Sequence, residues 1–80
     1  QGAIEDFTKL IELNPNSGDL YEKRGNAKSE LQDFDGAIED FDKAIELNPD
    51  SAYLYEQRGD AKSSLESFYG AISDHDYDAI

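Results

Sequence analysis

The sequence predicts an all-α fold, a right-handed α-solenoid of antiparallel helix pairs with a 34-residue repeat. Three observations lead there. Gly2, Gly36 and Gly70 stand 34 residues apart, and each opens the same phrase: GAIEDF at 2–7, GAIEDF at 36–41 and GAISDH at 70–75. Residues 2–34 and 36–68 agree at 23 of 33 positions, so one structural unit is used again. Within each unit, apolar residues fall at helical spacing in two runs, with a short break between them. Tandem helical hairpins of this kind stack into a solenoid.

The first helix carries Ala3, Ile4, Phe7, Leu10 and Ile11 on one stripe. Asn14-Pro15 stops it, because proline lacks an N–H and disfavours helical geometry in the residue before it. The second helix is expected from about Asp19 to Gln32, with Leu20, Tyr21, Arg24, Ala27, Lys28 and Leu31 on its buried stripe. The third runs from about Phe34 to Leu47 on Ala37, Ile38, Phe41, Ala44 and Ile45, and Asn48-Pro49 ends it. The fourth repeats the second over about Tyr53 to Glu66. A last, degenerate helix is expected from about Gly70. Glu5–Lys9 and Glu39–Lys43 are expected as i,i+4 pairs on the wet sides. The chain thus divides into the second helix of one repeat (1–17), a full repeat (18–51) and a final, degenerate repeat (52–80).

Composition narrows the partners. The 80 residues suit one small domain, and the formal net charge is -12. Such a surface repels phosphate backbones and anionic membranes, so nucleic acid and lipid are poor partners and basic protein faces are better ones. There is no cysteine, which excludes disulfides, thiolate metal sites and a cysteine nucleophile. No apolar run is long enough to span a membrane, and no signal peptide is visible. A soluble chain is expected, with a cytoplasmic setting favoured. The chain opens on Gln1 rather than Met and is expected to be a piece of something longer.

Two acidic stretches resemble metal loops. DFDGAIEDFD at 33–42 begins D-x-D-G, but a calcium loop of the EF-hand type needs a further ligand pair before its glycine and a distant glutamate. The residues after Gly36 form an amphipathic helix pattern, so Asp33 and Asp35 are expected to cap N–H groups and suit the helix dipole. In the next copy the matching residues are Ser67 and Tyr69, which keeps only a capping side chain. DHDYD at 74–78 lacks the glycine. His75 has no second catalytic group spaced with it. No metal, no cofactor and no catalytic site is expected.

The period and its fixed residues resemble the tetratricopeptide repeat, a 34-residue helix–turn–helix whose pattern runs W-x2-L-G-x2-Y, then A-x3-F, then P. Here the pattern reads Tyr21-x2-Arg24-Gly25-x2-Lys28, then Ala37-x3-Phe41, then Pro49. The next copy reads Tyr55-x2-Arg58-Gly59-x2-Lys62, then Ala71-x3-His75. Gly25 and Gly59 are expected to face Ala37 and Ala71 where paired helices cross, with Phe41 filling the remaining space. Three departures stand out. Arg24 and Arg58 take the leucine slot, and Lys28 and Lys62 the second aromatic slot. They are read either as a basic rail for an anionic ligand or as structural partners of Asp6, Asp40 or Asp74, and the structural reading is preferred because a half-buried Arg needs a carboxylate. The third departure is the end, where His75 replaces Phe. There the last helix either caps the array or marks a domain boundary.

The resemblance implies a non-catalytic protein–protein interaction module that holds an extended peptide on its concave wall. Carried over slot by slot, that wall comprises Asp19, Glu22, Asn26, Ser29 and Glu30, then Tyr53, Glu56, Asp60, Ser63 and Ser64. A subset of the family clamps a terminal carboxylate with Lys and Asn. Asn26 matches an Asn slot, but Glu22 stands where that subset has Lys, so the clamp is absent and its sign reversed. A basic or neutral peptide or helix in an acidic groove is therefore expected. The alternative is a structural or self-associating solenoid segment of a larger scaffold, pairing through open ends such as Ile4, Phe7 and Ile11.

Overall fold

The structure, a computed structural model, describes the backbone of residues 2–79 and the side chains of residues 2–69. The described residues form four α-helices: α1 (Gly2–Leu13), α2 (Gly18–Glu30), α3 (Phe34–Leu47) and α4 (Ala52–Ala79). Each packs on the next in chain order, and the α2–α3 hairpin is the most extensive pairing. Gly18 lies beside Ala44 and Leu47 while Gly25 lies beside Phe41, so the two helices run antiparallel.

The connections follow from a few residues. After α1 and after α3 an Asn-Pro turn closes through Ser17 N–H to Asn14 C=O (3.2 Å) and Ser51 N–H to Asn48 C=O (3.4 Å). Proline suits the second position of such a turn. The same serines then cap the next helix: Ser17 accepts from Leu20 N–H at 3.4 Å, and Ser51 from Leu54 N–H at 3.3 Å. Between α2 and α3 the chain reverses at Gln32, whose φ is +67°. Asp33 N–H donates to Lys28 C=O and Gln32 N–H to Ser29 C=O, both at 2.9 Å. This is a Schellman ending with glutamine where glycine is usual. Asp33 then caps α3 by accepting from Gly36 N–H at 3.1 Å. The acidic stretch at 33–42 is a helix start, as its pattern predicts.

α3 is the middle of the core. Ala37, Phe41, Ala44 and Ile45 are buried with Leu54 and Ala61 of α4, and Tyr21, Phe34 and Ile38 pack against them. Burying Phe41 and Leu54 contributes about 1.5–3 kcal/mol each.

Four expectations are corrected. The fourth helix does not end near Glu66: α4 continues unbroken to Ala79. Ser67 lies inside it and is not a cap. On α2 only Gly25 is buried, and Leu31, expected on the stripe, is exposed beside the turn. On α1 only Ile11 is fully buried, and Ala3 and Leu10 are exposed. The expected Glu5–Lys9 and Glu39–Lys43 pairs are not formed; Lys43 pairs with Glu46 instead (3.3 Å), and Lys23 with Asp19 (3.2 Å).

Candidate protein-binding wall

Arg24, Lys28 and Arg58, at three of the four departing slots, pair with carboxylates of the neighbouring helix. Arg24 donates through Nε to Asp40 Oδ2 (2.9 Å) and through one terminal nitrogen to Asp40 Oδ1 (2.8 Å). Its other terminal nitrogen donates to Thr8 Oγ1 at 3.1 Å. Thr8 in turn donates to the Ile4 carbonyl at 2.8 Å. Lys28 Nζ completes the cluster, 3.2 Å from Asp40 Oδ2. One arginine thus ties α1, α2 and α3 together. The Asp40 side chain is only 5% exposed, so a bidentate cation is what makes its burial tolerable. These hydrogen bonds raise the Arg24 guanidinium above its already high value. Arg24 also lies over the Tyr21 ring, 5.7 Å from its centre.

Arg58 copies half of this arrangement. It lies 5.4 Å from the Tyr55 ring centre, and it donates to Asp42 Oδ1 at 2.6 Å. Asp42 occupies the slot of Thr8, so the contact to the preceding helix is kept. Asp74, expected as a partner, lies outside the described side chains, as do Ala71, His75 and Asp78. At Gly25 the nearest side chain is that of Phe41. A Cβ there would stand 2.8 Å from the Phe41 ring, so glycine is required for that ring to seat.

The residues expected on the wall lie on α2 and α4. Asn26 and Tyr53 meet across it, Asn26 Nδ2 donating to the Tyr53 hydroxyl at 3.4 Å. Asp19, Glu30, Tyr53, Glu56, Asp60 and Ser63 are exposed, and Glu22, Asn26, Ser29 and Ser64 are half-buried. Partial burial, then the Asp19 charge, push the Glu22 carboxyl above its ordinary range, and Lys23 opposes them. Nothing in the repeat pattern marks Lys23. Its pair with Asp19 makes the α2 half of the wall less acidic than a count of carboxylates implies.

Ser64 sits elsewhere. It lines a notch of about 550 Å³ with Leu31, Phe34, Leu65, Phe68 and Tyr69, below the α2–α3 turn. The apolar stripes do not mark these residues as surface features. The one signal that points to them is the 34-residue step that relates Leu31 to Leu65 and Phe34 to Phe68.

The sequence profile described as TPR repeat matches residues 25–65, just over half of the chain. The chain belongs to the tetratricopeptide repeat family. The all-helical architecture, with α2 and α3 as one complete pair, agrees with the TPR helix-pair repeat. Membership points to a protein–protein interaction module with protein partners, of a family that is generally non-catalytic. No curated protein matches the chain. Among the described residues no helix of this TPR protein is long and apolar enough to cross a membrane. Nor do described His, Asp or Glu side chains gather into a group that could hold a metal ion.

Proposed function

We propose that this chain binds a basic or neutral peptide along the wall of α2 and α4. Glu22 and Glu56 receive the ligand's cations, and the Tyr53 ring offers a face for an apolar or guanidinium group. The observation that carries this reading is Glu22. Its carboxylate is half-buried and raised in pKa by desolvation and by Asp19, so an incoming cation stabilises it more than it would a fully solvated carboxylate. The other charges of the wall are exposed, so binding is expected to be weak and sensitive to salt.

A panel of basic, neutral and acidic-tailed peptides, compared at low and moderate salt, tests the reading. Basic peptides should bind best at low salt, and Glu22→Lys or Glu56→Lys should each weaken them about tenfold, the equivalent of about 1.4 kcal/mol. Preference for acidic tails would overturn the proposal.

A further inference from the structure

The two halves of the wall use the same slots with different charges. On α2 the slots hold Asp19, Glu22, Lys23 and Asn26, and 34 residues on α4 holds Tyr53, Glu56, Gln57 and Asp60. Residues three and four apart are neighbours on a helix surface. On α4 this sets Glu56 beside Asp60, and no described cation pairs with either. Like charges so placed repel, and a cation beside them relieves the repulsion.

On α2 such a cation belongs to the chain itself. Lys23 Nζ lies 3.2 Å from Asp19 Oδ2. The same ammonium draws the Glu22 carboxyl back toward its ordinary range, against burial and the Asp19 charge. The two halves adjoin, for Asn26, one turn beyond Glu22, reaches the Tyr53 hydroxyl at 3.4 Å. The Lys23 and Asp19 side chains are 53% and 66% exposed, and an ion pair of that kind contributes little to stability. It opens at small cost, so a cation arriving from outside can compete with Lys23 for the carboxylates beside it.

We infer that Lys23 is a selectivity residue of the wall: it stands on α2 in the place of a ligand's cation, and a basic peptide engages that half only by displacing it. The inference rests on the basic-peptide reading of the wall and gives it a direction. The α4 half, with Gln57 in the slot of Lys23, receives a cation unopposed, whereas the α2 half admits one only in exchange for its own.

Titration of four variants with a lysine-rich peptide at low salt is the test. Lys23→Gln gives α2 the side chain that α4 has, and should tighten binding about two- to fivefold, the range of an exposed ion pair. Gln57→Lys, the reverse exchange, should weaken it by a similar factor. Lys23→Arg keeps the charge and should bind as the wild type does. So should Lys43→Gln, which removes the same charge from the Lys43–Glu46 pair on α3, a helix that carries none of the wall residues. Unchanged helical circular dichroism would show that each variant is folded. An equal gain for Lys23→Gln and Lys43→Gln would mean that net charge alone sets affinity, and overturns the inference. Wild-type affinity in Lys23→Gln overturns it too, while the peptide reading stands. Failure of every form to bind overturns both. A second readout needs no peptide: by NMR titration, Lys23→Gln should raise the Glu22 pKa further and Lys43→Gln should not. A Glu22 titration indifferent to Lys23→Gln overturns the inference whatever the peptide does.

Discussion

The stretches 18–51 and 52–79 carry nearly the same residues on their first helices and fold differently. Tyr, Arg, Gly, Ala, Lys, Leu and Phe recur at matching slots. The first copy turns at Gln32 and folds α3 back over Gly25, whereas the second stays helical through Glu66 to Ala79, and no described residue comes within 4 Å of a Cβ built on Gly59. The helix face therefore does not decide the hairpin. Two other features separate the copies. Gln32 and Asp33 supply a left-handed stop and a helix cap, while Glu66 and Ser67 remain within α4. Further on, the returning helix of the first copy brings an aspartate and a phenylalanine that fit the waiting Arg24, Lys28 and Gly25. Phe41 has His75 as its counterpart in the second copy.

The largest expected effect tests the ionic half of this contrast. Asp40→Ala strands Arg24 and Lys28, both mostly covered, without a counter-charge, and should cost about 3–5 kcal/mol in denaturant unfolding. Asp42→Ala removes a carboxylate that is 52% exposed, and should cost at most about 1 kcal/mol. Equal losses would mean that Arg58 depends on its partner as heavily as Arg24 does.

The glycines should respond with opposite signs. Gly25→Ala drives a methyl into the buried Phe41 ring and should destabilise by about 1–3 kcal/mol. Gly59→Ala meets no described neighbour within 4 Å and lies inside a helix, where alanine is favoured by about 1 kcal/mol, so it should raise the Tm. A fall in Tm at both sites would show that Gly59 too is packed.

The turn comes next. Gln32 holds a left-handed conformation that costs a non-glycine residue about 1 kcal/mol, so Gln32→Gly should stabilise by about that amount. The matching change, Glu66→Gly, falls inside α4 and should lower helical circular dichroism and stability by a similar amount. Stabilisation by Glu66→Gly would instead reveal a hairpin in the final copy.

The repeat period, the proline stops and the α3 stripe were legible because each is a local pattern with one physical reading. That Arg24 needs an aspartate was legible, since a half-buried arginine needs a carboxylate, but the choice of Asp40 among Asp6, Asp40 and Asp74 is read from the fold. The straight course of α4 was not legible. The second copy keeps Leu65 and Phe68, so pattern alone carries the turn across, and the stop at Gln32 depends on a backbone angle that glutamine does not advertise. Likewise the repeat assigns Arg58 an aspartate of its own following helix, but its described partner is Asp42 of the preceding one. On the wall, the residues on α2 and α4 could be counted from sequence, but the Asp19–Lys23 pair and the partial burial of Glu22 required the fold.

The smallest effect concerns that glutamate and has a definite sign. The folded chain holds the Glu22 proton more tightly than the unfolded chain does, because burial and Asp19 disfavour the carboxylate. Below the unfolded pKa both states are protonated and nothing is lost. As pH rises through the window between the unfolded value and the raised folded value, the unfolded state releases its proton first and stability falls. Glu22→Gln should therefore raise Tm slightly at neutral pH and leave it unchanged in acid. Glu56→Gln, at an exposed position of α4, serves as the reference variant. A bound basic peptide should reverse the order: its cation favours the carboxylate, lowers the pKa of Glu22 and makes binding weaken as pH falls through that same window. Thermal melts of both variants across pH, with and without a lysine-rich peptide, read the two signs together. A Tm gain for Glu22→Gln that survives in acid would mean the side chain acts through packing rather than charge.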